Sequence, residues 1–212
     1  MKLINNLLDW CRAIVRNAIS RVAVVLDRLS GGRLTATHIT LIGLLAHLPI
    51  AWLIATGELP IAAVLLAIFG LFDTLDGAMA RVQNKESLAG MFLDSTTDRI
   101  KEVILYCGIV SYLIGLPDTT VIVVAVAALG ASLLTSYINA WGEVTLAASI
   151  KKHTHKVNQA LRIGLGGFEV RMALLVAGLI LNRLEIIIYV ILVLALLTIA
   201  QRIMNTLQRL QA

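Results

Sequence analysis

The sequence predicts an all-α membrane protein: six transmembrane helices preceded by an N-terminal amphipathic surface helix. Three observations carry this. Of the 212 residues, 58% are hydrophobic and only 15% are charged, whereas soluble domains run near 45–50% and about 25%. Mean hydropathy is +0.87. The apolar residues also fall into runs of about 20, the length that crosses a bilayer core as a helix. A single domain over 1–212 is expected, with a juxtamembrane helix in 1–30 and a bundle in 37–206.

The elements follow in order. Residues 3–29 place Leu3, Ile4, Leu7, Leu8, Cys11, Ile14, Val15, Ala18, Ile19, Val22, Val25, Leu26 and Leu29 in the i, i+3, i+4, i+7 rhythm of one helix face. Asp9, Arg12, Arg16, Arg21 and Arg28 occupy the other face. Such a helix suits a membrane surface, with its arginines toward anionic headgroups. Spans are then predicted at 37–57, 60–82, 88–115, 119–142, 163–182 and 184–206. The connections carry turn formers: Gly57 to Pro60, Asn84 to Ser87, and Leu116 to Asp118. The longer connection, 143–162, is basic, with Lys151, Lys152 and Lys156, and its His153 and His155 read as solvated residues.

Lysine and arginine gather in the N-terminal segment, in 83–87, in 143–162 and at the C-terminus, while 57–60 and 116–120 hold none. This asymmetry predicts both termini on the cytoplasmic side of the cell membrane. The net charge of +5 reads as topology and lipid attraction rather than as a nucleic-acid surface, because the basic residues lie between apolar segments. Trp10, Trp52 and Trp141 fall near element ends, as interface anchors do. Cys11 and Cys107 have no metal-like neighbours and are expected to be reduced. The first long apolar run starts near Ile39, too late for a cleavable signal peptide.

Asp73, Asp76, Asp94 and Asp98 conflict with this apolar setting. One charge at the middle of a membrane helix costs on the order of 3 kcal/mol, and four cost roughly 10 before their mutual repulsion is counted. Asp73, Asp76, Gly77, Ala80 and Arg81 share one helix stripe; Gly90, Asp94, Asp98 and Lys101 share another. The short connection makes these helices neighbours, so facing stripes would gather the four carboxylates. Gly77 and Gly90 are expected to let the backbones approach closely. Hard oxygen ligands suit Mg²⁺ or Mn²⁺, and two such ions would neutralise the four acids. Metals held this way serve chemistry at phosphates, and Arg81 and Ser87 could add donors to phosphate oxygens. The residues thus point to metal-dependent transfer at a phosphate or pyrophosphate on the cytoplasmic face.

The run from Asp73 through Asp76, Gly77 and Ala80 to Arg81, followed by Gly90, Asp94 and Asp98, resembles the signature of the CDP-alcohol phosphotransferases. The six-span layout and the surface helix resemble that family as well. The resemblance implies a CDP-diacylglycerol-type lipid donor, or an ether analogue, a small polar alcohol acceptor, release of CMP and a homodimer. It implies that Asp73 and Asp94 bind both metals, Asp76 one and Asp98 the other, and that Asp98 is also the general base. Gly77, Arg81 and Ser87 would contact the CDP moiety. Ala36, Thr37, His38, Ile39 and Thr40 would help cradle the nucleotide, although Ala36 and Thr37 replace the family's Pro and Asn.

The text around Asp94 to Arg99, and Ser136 to Ala140, is most similar to the phosphatidylinositol-phosphate synthase branch. That branch carries Lys where this chain has Asn139, and an Arg near Phe168 that has no counterpart here. Arg202 matches a third basic position. Arg171 is an additional candidate, and Arg162, before the Gly164 to Gly167 turn, could supply a replacement phosphate site. Inositol phosphate, glycerol 3-phosphate and an uncharged alcohol all remain as acceptors. Two other classes hold intramembrane acids: prenyltransferases, which lack the Asp-Gly-x-x-Ala-Arg arrangement, and ion-coupled carriers, which do not need Gly77, Arg81 and Gly90.

Overall fold

The computed structural model describes residues 17–149 and 166–211, and these are all-helical with turns. Helix α1 covers 17–30. It is followed by α2 (Ala36–Ala55), α3 (Leu59–Gly70), α4 (Phe72–Val82), α5 (Leu88–Ile114), α6 (Thr120–Ser149), α7 (Phe168–Ile180) and α8 (Leu184–Gln211). Among the described residues, four stretches are long and apolar enough to cross a membrane: Ala36–Ala55, Leu59–Val82, Thr120–Leu146 and Leu184–Leu210. The expected span at 88–115 forms a 27-residue helix, α5, but Asp94, Asp98, Arg99, Lys101 and Glu102 dilute its apolar run. Of the span expected at 163–182, the described part is the 13-residue α7. Residues 3–16 of the expected surface helix, the basic connection with its lysines and histidines, and Arg162 lie outside the described residues.

Four helices close in the same way, because the last carbonyls of a helix lack partners within it. At Gly31, Gly57, Asn84 and Asn182 the backbone turns to positive φ. In each case the next amide reaches back across the turn, as Lys85 N–H does to Ala80 C=O at 2.9 Å and Glu58 N–H to Leu53 C=O at 2.9 Å. Glycine or asparagine tolerates that conformation. The span expected at 60–82 is divided at Leu71, where the bonds shorten to Leu71 N–H to Ile68 C=O and Thr74 N–H to Leu71 C=O. This break gives α4 its own start just before Asp73.

The chain separates into two compact units, one from Met1–Pro49 with Leu65–Lys101 and the other from Ile50–Val64 with Glu102–Ala212. In the first, Ile19 and Ala23 of α1, Ile39 of α2 and Leu75, Ala78 and Met79 of α4 form an apolar cluster. Gln83 ties the ends of these helices together: its Nε2 donates to Asp27 Oδ1 and to Leu34 C=O, both at 2.8 Å. With one face of α4 committed to that cluster, its other face presents Asp73, Gly77 and Arg81. The exposed residues of α1 include the apolar Val22, Val25 and Leu29, so its buried stripe is narrower than the sequence pattern suggested.

In the second unit, α6 and α8 pack against each other, as do α7 and α8. Buried positions along α6 include Val121, Ala125, Ala128, Ser132 and Thr135, with Ala131 and Leu146 buried as well, and along α8 the heptad-like set Leu184, Ile188, Ile191, Ala195, Thr198 and Arg202. Both sets alternate steps of four and three, the seam of left-handed helix pairing, and small residues allow the close approach that drives packing in lipid. Arg202 Nη1 donates to Thr135 C=O at 2.7 Å near one end of the seam. On α5, Gly108 meets α2: a Cβ there would stand 2.8 Å from Ala51 Cα. Backbone cannot yield as a side chain can, so Gly108→Ala is expected to destabilise the protein by about 1–3 kcal/mol. A melting temperature equal to that of the unmodified chain would show that the contact is loose.

Candidate active site

The site grows out of the first unit. Helix α4 carries Asp73, Asp76, Gly77 and Arg81 on its free face, and the turn closed at Asn84 delivers Lys85, Glu86 and Ser87 to the start of α5. Ser87 caps that start, its Oγ accepting from Gly90 N–H at 3.0 Å. Thr35 caps α2 reciprocally with His38: Thr35 Oγ1 accepts from His38 N–H at 3.4 Å, and His38 Nδ1 accepts from Thr35 N–H at 3.2 Å. Together these elements enclose a cleft of about 370 Å³ lined by Ala36, Thr37, Thr40, Asp76, Gly77, Arg81, Lys85, Glu86, Ser87, Gly90 and Asp94.

The four aspartates are near enough to repel one another. Asp76 feels the charges of Asp94 and Asp73, and Asp98 those of Asp73 and Asp94. Each has its own environment. Asp76 is 4% exposed; its Oδ2 accepts from Thr40 Oγ1 at 2.6 Å and its Oδ1 from Gly77 N–H at 2.6 Å. Asp94 Oδ1 is buried with no hydrogen-bond partner. Asp73 and Asp98 are bridged by the ammonium of Lys101, which contacts Asp73 Oδ1 and lies 3.3 Å from Asp98 Oδ1. Asp98 Oδ2 also stands 3.9 Å from Arg99 Nη2.

Among the described residues no three acidic, histidine or cysteine side chains stand in ready metal-binding geometry. The cause is visible: Thr40 and Gly77 hold Asp76, while Lys101 draws Asp73 and Asp98 to itself. The donor set still fits a divalent oxygen-seeking ion. It consists of carboxylates, one buried oxygen lacks any partner, and a cation already stands between two of the acids.

Several sequence expectations change here. Gly77 and Gly90 do not serve helix-to-helix approach: the nearest atoms to a Cβ at Gly77 belong to Arg81, at 3.5 Å, and at Gly90 to Ser87 Oγ, at 3.3 Å. The Arg81 guanidinium lies back over Gly77, one turn earlier on the same helix. Ala36, Thr37 and Thr40 line the cleft, but His38 and Ile39 do not. Ile39 is 2% exposed in the apolar cluster, because adjacent positions on a helix face different ways.

The acceptor candidates belong to the second unit. Asn139 Nδ2 donates to Glu143 Oε1 at 3.0 Å. Arg202 is 8% exposed at the α6 and α8 seam. Arg171 is fully buried: its Nη2 pairs with Glu102 Oε1 at 3.2 Å, and its Nη1 donates to Gly166 C=O at 2.7 Å. A guanidinium packed this way ties α7 to α5 within the second unit. Sequence reasoning missed Lys85, the Lys101 bridge and the Glu102 to Arg171 pair. The legible signal was a basic residue three positions after Asp98 and an acid directly after it, both inside an apolar helix.

Among the described residues the fold is helical, with paired acids on α4 and α5 and a cleft of about 370 Å³ lined by Asp76, Asp94, Arg81 and Lys85. The family model described as CDP-alcohol phosphatidyltransferase matches residues 33–208, and this chain belongs to that family. It is 30% identical to archaetidylinositol phosphate synthase of Methanothermobacter thermautotrophicus over 97% of each chain. It is 40% identical to phosphatidylinositol phosphate synthase of Corynebacterium glutamicum over 44% of this chain and 43% of that one. Its fold matches the crystal structure of Mycobacterium tuberculosis phosphatidylinositol phosphate synthase with CDP-DAG bound, with TM-score 0.73, 25% identity, and 89% and 92% of the two chains covered. The same enzyme in complex with manganese and citrate matches at TM-score 0.75 and 24% identity, over 89% and 88% of the chains.

Proposed function

We propose that this chain transfers a phosphatidyl-type group from a CDP-linked lipid to inositol phosphate and releases CMP. The observation that carries the reaction type is the cleft, where Asp76 and Asp94 meet Arg81 and Lys85. The acceptor is supported by the relative that matches over nearly its whole length. Arg81 and Lys85 bind the pyrophosphate oxygens of the donor and orient its scissile P–O bond. Asp98 takes the proton from the acceptor hydroxyl as the new O–P bond forms and the bond to CMP breaks. Asp73, Asp76, Asp94 and Asp98 would hold Mg²⁺ or Mn²⁺, two ions in all, which supplies Lewis-acid neutralisation of the pyrophosphate charge.

The chain is read as one domain with six spans, active site and both termini on the cytoplasmic side of the cell membrane, working as a homodimer. The distribution of Lys and Arg supports the sidedness, and the exposed apolar residues of α6 and α8, such as Val123, Val126, Val193 and Leu196, suit lipid contact. Asn139, Arg171 and Arg202 remain the proposed acceptor contacts within the second unit, with Arg162 as a further candidate from sequence.

Purified protein with CDP-diacylglycerol or its ether analogue, and Mg²⁺ or Mn²⁺, is expected to release CMP when given inositol 3-phosphate. Inositol, glycerol 3-phosphate and serine should support far less release, and EDTA should stop it. Glycerol 3-phosphate outperforming inositol 3-phosphate would overturn the acceptor while keeping the reaction, an outcome worth measuring because Asn139 bonds Glu143 where the similar branch has a cation. Full activity in EDTA would overturn the metal reading.

A further inference from the structure

We infer that Lys101 is a resident counter-ion of the carboxylate site, which competes with divalent metal for Asp73 and Asp98 and leaves them when metal binds. The inference rests on the metal-dependent reading above and concerns one residue of this chain.

Lys101 is 1% exposed, on a part of α5 that also carries two of the acids. Its stem is buried and its ammonium reaches the two carboxylates at once, Asp73 from α4 and Asp98 from one turn earlier on α5. Helix α2 passes beside it without crowding it. Gly43 has no side chain, and even a Cβ there would come no nearer than 3.9 Å to Lys101 Cε and Nζ. A buried ammonium is retained only where anions compensate its desolvation, and here Asp73 and Asp98 do so. Conversely, the four acids repel one another, and Lys101, with Arg99 beside Asp98, supplies positive charge that offsets the repulsion without metal.

The same oxygens cannot serve both cations fully. Mg²⁺ binds oxygen at about 2.0–2.1 Å, and an ammonium left in contact with those oxygens would be a like charge within a few ångströms of it. Metal binding therefore has to displace Lys101, and the displacement weakens metal affinity. Lys101 acts through Asp73 and Asp98, so it is a positioning residue. Asp76 and Asp94, which it does not bridge, remain the acids that face the cleft.

The test uses Mn²⁺ alone, with purified full-length protein in detergent and titration followed by electron paramagnetic resonance of the free ion. Lys101→Met is expected to bind Mn²⁺ roughly 10-fold more tightly, a change of about 1.4 kcal/mol. In EDTA it should melt below the unmodified protein, because the acids then lack their counter-ion, and the rise in melting temperature on adding Mn²⁺ should be larger. Lys101→Gln, which keeps hydrogen bonding without charge, is expected to share the tighter binding and covers the case in which the Met variant does not accumulate. Unmodified protein gives an independent readout: the peptide containing Lys101 should be acetylated faster with Mn²⁺ than in EDTA. Equal or weaker Mn²⁺ binding by the variants, or equal labelling, would overturn the inference and leave the metal-dependent reaction standing. Absence of Mn²⁺ binding to every form would overturn both.

Discussion

Asp98→Asn is expected to lower the rate of CMP release by at least about 10³-fold while the protein keeps its fold. A positioned base is worth about 10²–10⁴-fold by itself. Asparagine also removes a negative oxygen from the proposed metal set. The change is nearly isosteric and the side chain is 15% exposed, so packing should survive. Lys101 would retain Asp73 as a partner. The measurement is single-turnover CMP release, paired with a melting curve. Undiminished turnover in a folded variant would remove Asp98 from the chemistry.

The second large effect is on stability. Glu102→Gln would leave Arg171 buried at 1% exposure beside a neutral amide. Breaking a buried ion pair from one side costs about 3–5 kcal/mol, because the remaining charge loses its carboxylate partner. Replacing both partners, as in Glu102→Gln with Arg171→Met, should recover much of that loss, since no buried charge then remains. The melting temperature should fall steeply in the single variant and partly return in the double one. Equal melting of the single variant and the unmodified chain would show that the pair contributes little.

This pair also shows where sequence reading stops. Arg171 is an additional candidate for a phosphorylated acceptor by sequence, and sequence does not reveal which acid lies beside it. The fold supplies Glu102, distant in the chain and carried on α5. Lys101 and Glu102 are adjacent in sequence yet point to different partners, since neighbours on a helix lie about 100° apart. One meets Asp73 of α4 and the other Arg171 of α7.

The glycines teach a similar lesson. Spacing placed Gly77 and Gly90 in the signature but could not tell which surface each served. Gly77 lies beneath the Arg81 guanidinium and Gly90 beside the Ser87 cap. Neighbouring backbone is admitted instead at Gly108, against Ala51, and at Gly166, where a Cβ would stand 2.9 Å from the Leu194 carbonyl oxygen.

By itself the sequence determined the helical class, the apolar runs, the stripe that puts Asp73, Asp76 and Arg81 on one face, and the family signature. These are properties of composition and of the 3.6-residue period, and they need no knowledge of long-range contacts. Only the tertiary structure decided which acids are held by hydrogen bonds, which are bridged by Lys101, that Ile39 packs inward and that Arg171 pairs with Glu102. Those outcomes depend on which helix lies opposite, and a single chain's periodicity fixes the direction in which a side chain leaves its helix but not what it meets there.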